Sequence, residues 1–180
     1  MTVIPVFVSS NAGKVREVEA ILGVPVERLD LDLPEIQALD AADVAREKAL
    51  AAHQHTGRPI FVEDTGLSIA ALGGLPGALV RWFLVTVGPG GICALIPPGA
   101  SRAATARTAV AWCDGDSVEV LTGETAGQIT AEPRGDGGFG WDAIFQPNGS
   151  PRTFAEMDQA ERDRFSMRRR AIEQLRDRLG

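Results

Sequence analysis

The chain has 180 residues, with 18 Lys and Arg against 24 Asp and Glu and a net charge of -6. That balance excludes the basic footprint of a duplex nucleic-acid binder. An apolar content of 44% with 23% charged residues excludes a disordered chain. No apolar run approaches a membrane span, and Met1-Thr2-Val3-Ile4 lacks a basic leader segment, so a cytoplasmic protein with no membrane partner is expected.

In chain order, Val3 to Ser9 is a near-continuous apolar run and predicts a buried central strand. Ser9 to Lys14 is a polar loop, after which Val15, Val18, Ile21 and Leu22 recur at helical spacing up to Gly23 and Pro25. Val26 to Leu33 reads as extended, ending at Pro34-Glu35. Asp40 and Asp43 resemble a capping box that opens an Ala-rich helix to about His55. Ile60 to Asp64 predicts the next strand, Leu67 to Leu72 a helical turn, and Leu79 to Val87 a helix. A short helix lies between Gly88-Pro89-Gly90-Gly91 and Pro97-Pro98-Gly99.

Thr105 to Cys113 and Val118 to Glu124 flank a hairpin signal at Asp114-Gly115-Asp116. Gln128 to Ala131 and Asp142 to Phe145 predict short strands, and a last helix runs to Leu179. The pattern predicts an α/β fold: a mixed, twisted sheet with flanking helices and an antiparallel hairpin lobe beside it. Residues 1–180 would form one elongated, two-lobed domain with a central cleft. Cys93 and Cys113 have neither metal-ligand nor disulfide-scaffold spacing and read as buried thiols.

Five stretches carry chemistry. Glu63-Asp64 stands at the predicted end of a strand, before a Gly-containing turn at Thr65-Gly66-Leu67, where folding alone gives two carboxylates no purpose. Strand ends of open α/β sheets bind ligands, and a carboxylate there can hold a hard cation or polarise a water. Ser9, Asn11 and Lys14 sit between strand and helix. They either cap the helix or cradle a phosphate with free N–H groups and the Lys charge. Glu35 is either a loop carboxylate or, if the second and third strands are neighbours, a partner of Asp64 on one Mg²⁺.

Phe139, Trp141 and Asp142 follow a glycine-rich loop, which suits base stacking and hydrogen bonding or a simple Trp anchor. Near the C-terminus, Arg168 projects onto the apolar stripe of Phe165, Ile172, Leu175 and Leu179. Either the helix restarts with Ser166 as its cap, or Arg168 points into a site.

In this order the segments resemble the inosine triphosphate pyrophosphatase family. The matching stretches are Phe7 to Lys14, Asp32 to Glu35, Val62 to Leu67, Ala71 to Gly77, Phe139 to Asp142 and Thr153 to Met157. The resemblance implies Mg²⁺-dependent hydrolysis of a purine nucleoside triphosphate (ITP, dITP or XTP) to monophosphate and pyrophosphate, in a homodimer. It implies Ser9, Asn11 and Lys14 on the triphosphate, Glu35 and Asp64 on the metal, and Asp64, helped by Glu63 and Lys14, in catalysis. Phe139, Trp141 and Asp142 would form the base pocket, and Arg162, in place of a phosphate-contacting Lys, with Ser166, Met167 and Arg168 would also contact the nucleotide. The chain departs from the family where Arg162 replaces a Lys and Met167 a His. A thioether is a weak acceptor at best, which opens the alternative of GTP, dGTP or a modified purine nucleotide as substrate.

Overall fold

The computed structural model describes residues 6–179. Thirteen helices and strands follow the chain: β1 (Val6–Val8), α1 (Ala12–Leu22), β2 (Glu27–Leu29), α2 (Ala41–Thr56), β3 (Ile60–Ile69), β4 (Pro76–Gly77), α3 (Val80–Thr86), α4 (Gly88–Leu95), β5 (Ala103–Cys113), β6 (Val118–Ile129), β7 (Phe145–Pro147), α5 (Gln159–Phe165) and α6 (Met167–Leu179). The strands form one seven-stranded mixed sheet in the order β2-β1-β3-β5-β6-β7, with β4 on β3. The first three strands are parallel, as strand–helix crossovers require, and the rest are antiparallel. Of the predicted first strand, residues 3–5 lie outside the described residues.

Helix ends follow the local sequence. Asn11 caps α1, its Oδ1 accepting from Gly13 N (2.9 Å) and Lys14 N (3.2 Å), and Asp40 caps α2 through Ala42 N (2.9 Å). Gly23 and Gly57 close the two helices in the left-handed conformation.

Several sequence expectations need correction. Glu63 and Asp64 are not at a strand end, because β3 pairs with β5 at all ten positions from Ile60 to Ile69. Gly66 serves close packing rather than a turn: a Cβ there would lie 3.1 Å from Gly77 C and Ala78 N. Val118 to Ile129 is one twelve-residue strand rather than two. Gly123 and Gly127 interrupt its side-chain pattern only because α6 and the Gln146 backbone pass too close for a Cβ. Only Glu27–Leu29 of the extended Val26 to Leu33 segment joins the sheet, and β7 begins at Phe145, after a turn that holds Asp142. The last helix is two, α5 and α6, broken at Ser166. Finally, the hairpin strands β5 and β6 belong to the same mixed sheet as the parallel strands.

The long strands β3, β5 and β6 serve two core regions. Alternation places Ile60, Val62, Ala109 and Ala111 under α2, and Phe61, Val110 and Trp112 under α1 and α6. Further along this second face, Leu67, Ile69, Ala104 and Ala106 pack with Trp141, Phe145 and Phe154. Between its two apolar blocks lie only Glu63, Thr65 and Thr108 on β3 and β5. Thr65 Oγ1 donates to Glu63 Oε1 (2.5 Å) and lies 3.1 Å from Thr108 Oγ1. A polar belt crosses the middle of the sheet.

Candidate active site

β1 ends at Val8, and β4 meets β3 only at Leu67 and Ser68. Between Phe61 and Leu67, that edge of β3 has no strand partner among the described residues. Within this stretch, Glu63 meets the start of α1 through Lys14 and the elbow between α5 and α6 through Arg168, which in turn faces the Phe139 ring. Because side chains alternate, Glu63 and Asp64 leave the strand on opposite faces and meet different partners.

Glu63 is fully buried. Arg168 Nε donates to its Oε2 (3.0 Å) and Nη2 to its Oε1 (3.3 Å), and Lys14 Nζ lies 3.2 Å from Oε1. Burial alone would raise its pKa, but Arg168 and Lys14 outweigh burial and hold it down to about 2. Arg168, 3% exposed, is likewise held above its ordinary value, as Glu63 and Glu17 outweigh burial.

Asp64 goes the other way. Burial pushes its carboxyl up to about 6, against the pull of Lys14 and Lys48 and with a push from Glu63 and Glu35. Its Oδ2 is buried without any hydrogen-bond partner, an unusual state for a carboxylate oxygen. An orphaned oxygen of this kind fits a cation. No group of three or more His, Cys, Asp or Glu gathers to hold a metal among the described residues. Two carboxylates, with water and substrate phosphate completing the shell, suit Mg²⁺. Glu35 reaches this region although the second and third strands are not neighbours, since β1 separates β2 from β3. The loop after β2 brings it round, and it forms an ion pair with Lys48 of α2.

The base-end residues converge as well. Arg162 Nη2 donates to Asp142 Oδ2 (2.6 Å), which also accepts from Phe139 N (2.9 Å). Burial raises the Asp142 pKa despite Arg162. The Phe139 ring is 43% exposed, with the Arg168 guanidinium 5.9 Å from its centroid. Ser166 starts α6, its Oγ accepting from Arg169 N (3.1 Å), so helix restart and inward-pointing Arg168 both hold. Gly123 permits this: a Cβ there would lie 2.0 Å from Met167 O.

Trp141 and Met167, 7% and 6% exposed, sit in the core with Phe145 and Phe154. Ser9 Oγ accepts from Asn11 N (3.2 Å), and Arg28 donates to the carbonyls of Ser9 (3.0 Å) and Ser10 (2.8 Å), bracing the loop. The motifs singled out neither Lys48 nor Glu17. Only the spacing of Glu17, three residues after Lys14 on one helix face, was a usable signal.

A hollow of about 350 Å³ lies two residues beyond Asp64 on its face, lined by Asp40, Gly66, Ser68, Arg107 and Glu124. Arg107 pairs there with both Asp40 and Glu124, so the hollow has no surplus positive charge for phosphate. Phosphate is better met at Lys14 and Lys48.

Residues 5–178 match the Ham1 family. The chain belongs to that family. Its relatives include inosine triphosphate pyrophosphatase 1 of Trypanosoma cruzi, 44% identical over 94% of this chain and 88% of the relative. A dITP/XTP pyrophosphatase of Thermococcus kodakarensis is 41% identical over 94% and 93%. Among solved structures, a HAM1 protein from Coxiella burnetii superposes with a TM-score of 0.85 at 27% identity, covering 98% of each chain. The mixed α/β fold of this Ham1-family chain is therefore the family's own. None of its described helices is long and apolar enough to cross a membrane.

Proposed function

We propose that this Ham1-family chain is a nucleoside triphosphate pyrophosphohydrolase, splitting ITP, dITP and XTP to the monophosphate and pyrophosphate with Mg²⁺. The observation that carries the reading is Asp64: a carboxylate with one buried, unpartnered oxygen on the open edge of β3, between Lys14, Lys48 and Glu35. Asp64 and Glu35 would hold the Mg²⁺. Once bound, it would supply neutralisation of phosphate charge and Lewis acidity.

The remaining steps belong to side chains. Lys14 and Lys48, now parked on Glu63 and Glu35, have phosphate to turn to when a triphosphate enters. Ser9 and the N-terminal turn of α1 add hydrogen-bond donors. Asp64 orients a water for in-line attack on the α-phosphorus and takes its proton, and pyrophosphate leaves with its charge met by the lysines. Glu63, held ionised by Arg168, keeps Lys14 in place. At the other end of the cleft, the exposed Phe139 ring offers a stacking face, and Asp142, Arg162 and Arg168 offer polar contacts. Trp141 and Met167 support that wall from the core.

Pyrophosphate release from ITP, dITP, XTP, GTP, dGTP and ATP tests the reading. Preference for the first three is expected, and release from none of the six would end it. A second reading, a specialised relative acting on GTP, dGTP or a modified purine nucleotide, rests on Arg162 and on Met167, a weak acceptor at best where the family has a His. GTP preferred over ITP in the same panel would favour it.

We also propose a homodimer. Trp82 and Val85 of α3 are 64% and 67% exposed, an apolar pair that a partner copy would cover. Sedimentation at micromolar concentration should give twice the 19.1 kDa chain mass, and a monomer at every concentration would contradict it.

A further inference from the structure

Glu35 rides on an exposed segment. Residues 30–40 join β2 to α2 without regular structure, and Ile36 and Leu39 are 45% and 48% exposed, so apolar burial does little to hold them. The far end of the segment is clamped over Gly66, two residues along β3 from Asp64 and on the same face. Ala78 N donates to Leu39 O (2.9 Å), and two glycines make room for the crossing. A Cβ on Gly77 would lie 2.4 Å from Leu39 O, and one on Gly66 3.1 Å from Ala78 N. Arg107, opposite Gly66 in the β3–β5 register, reaches across to Asp40, its Nη1 donating to both carboxylate oxygens (2.9 and 2.8 Å). Its Nε donates to Glu124 Oε1 on β6 (2.5 Å). Glu124 thus aims Arg107, and Arg107 holds Asp40, which also caps α2. From Asp40 the chain leads back to Glu35, and forward along α2 to Lys48, the ion-pair partner of Glu35.

We propose that Arg107 is a positioning residue of the metal site: through Asp40 it fixes the segment that carries Glu35, and so sets the affinity for the divalent cation. The inference rests on the function proposed above, in which Glu35 and Asp64 share Mg²⁺. A small cation with strict geometry is held tightly by two carboxylates only when both stay in place, since a swinging ligand must be ordered at every binding event. Asp64 is placed by β3 and its pairing with β5. Glu35 is not on the sheet, so whatever restrains its segment sets the affinity. The Arg107 and Asp40 side chains are 38% and 42% exposed, and a pair this open adds little to global stability. Tied to Asp40 on one side and Glu124 on the other, however, the rigid guanidinium selects one position for the end of the segment. Charge alone would act in the opposite sense. A guanidinium on the metal's face of the sheet repels a cation, so its removal would tighten binding.

Mn²⁺ titrated into the nucleotide-free protein, followed by its electron paramagnetic resonance signal, reads the site without turnover. Arg107→Gln is expected to raise the Mn²⁺ dissociation constant about tenfold, the lower end of the range for a group that acts through a ligand. Asp40→Asn should do the same, because Asn still caps α2 but lacks the charge that Arg107 holds. The double variant should lose no more than either single one. Arg107→Lys, which keeps the charge without the fork, should recover only part of the affinity. In the pyrophosphate assay the half-saturating Mg²⁺ concentration should rise by a similar factor, with kcat at saturating Mg²⁺ near the wild-type value. Unchanged or tighter Mn²⁺ binding in Arg107→Gln would overturn the inference, as would a double variant in which the two effects add or cancel. Glu35→Gln separates this result from the proposed function. If it leaves Mn²⁺ affinity unchanged, or if the wild type binds no Mn²⁺, the metal site fails and the inference with it. If Glu35→Gln weakens Mn²⁺ binding but the wild type releases no pyrophosphate, the hydrolytic function fails, and the Mn²⁺ affinities alone decide the inference.

Discussion

Asp64→Asn is expected to lower kcat for pyrophosphate release by about 10²–10⁴-fold, the range for losing a general base, while nucleotide binding persists. The same substitution should stabilise the metal-free protein. Asp64 titrates near 3.8 when unfolded and about 6 when folded. Below pH 3.8 both states are protonated and the carboxyl costs nothing. As pH rises through 6 the folded state carries the full cost of an ionised, partly buried carboxylate. At pH 7 its replacement should gain about 1–3 kcal/mol, allowing for partial exposure. That is a rise in Tm of about 3–10 °C for a chain of this size. Added Mg²⁺ should raise the Tm of the wild type and not of the variant. Thermal melts with and without chelator, beside single-turnover assays, read all three effects. Full activity in Asp64→Asn would remove it from the mechanism, and a lowered Tm would mean that its free oxygen has a partner.

Arg168→Met should destabilise the protein by about 3–5 kcal/mol, because removing one member of a buried pair strands the other. Glu63 would keep only Lys14 and Thr65. Replacing both residues, Glu63→Gln with Arg168→Met, should recover part of the loss, since the stranded charge is then gone. The pair also shapes the acid limb of stability. The folded pKa of Glu63 is depressed to about 2 from an ordinary 4.5. Its contribution is therefore present above pH 4.5 and lost as pH falls toward 2. The shift corresponds to about 3 kcal/mol, and the loss on acidification should shrink in Arg168→Met. Denaturant titrations at pH 7 and pH 3 measure both effects. A cost below about 1 kcal/mol at pH 7, typical of an exposed pair, would contradict the buried geometry.

Much of the fold was legible wherever the cause is local. Asn11, Gly23, Asp40 and Gly57 bound their helices by cap chemistry that needs no distant partner. The order of apolar runs likewise announced alternating strands and helices around a mixed sheet. Errors fell where distant segments override local signals. Thr65-Gly66 looked like a turn, but pairing with β5 carries the strand through it. The strand expected to stop at Glu124 runs on to Ile129, because pairing with β5 and β7 continues along it. The candidate site divides in the same way. Lys14, Glu63, Asp142, Arg162 and Arg168 were each visible as residues and do converge. Glu17, which pairs with Arg168, carried only its spacing from Lys14, and Lys48, which pairs with Glu35, carried no mark that separates it from other charges on a helix surface.

By itself the sequence determined the fold class, the ends of α1 and α2 and the inventory of chemical groups, because turn propensity, capping and apolar period act within a few residues. Only the tertiary structure decided what those groups are. Neighbours on one strand, Glu63 and Asp64 receive opposite environments because alternation turns one toward Arg168, 105 residues away, and the other to the opposite face, where Lys48 and Glu35 act on it. One carboxylate is thereby paired and fixed as an anion, and the other is left desolvated with a free oxygen, which is the condition for holding a metal and taking a proton.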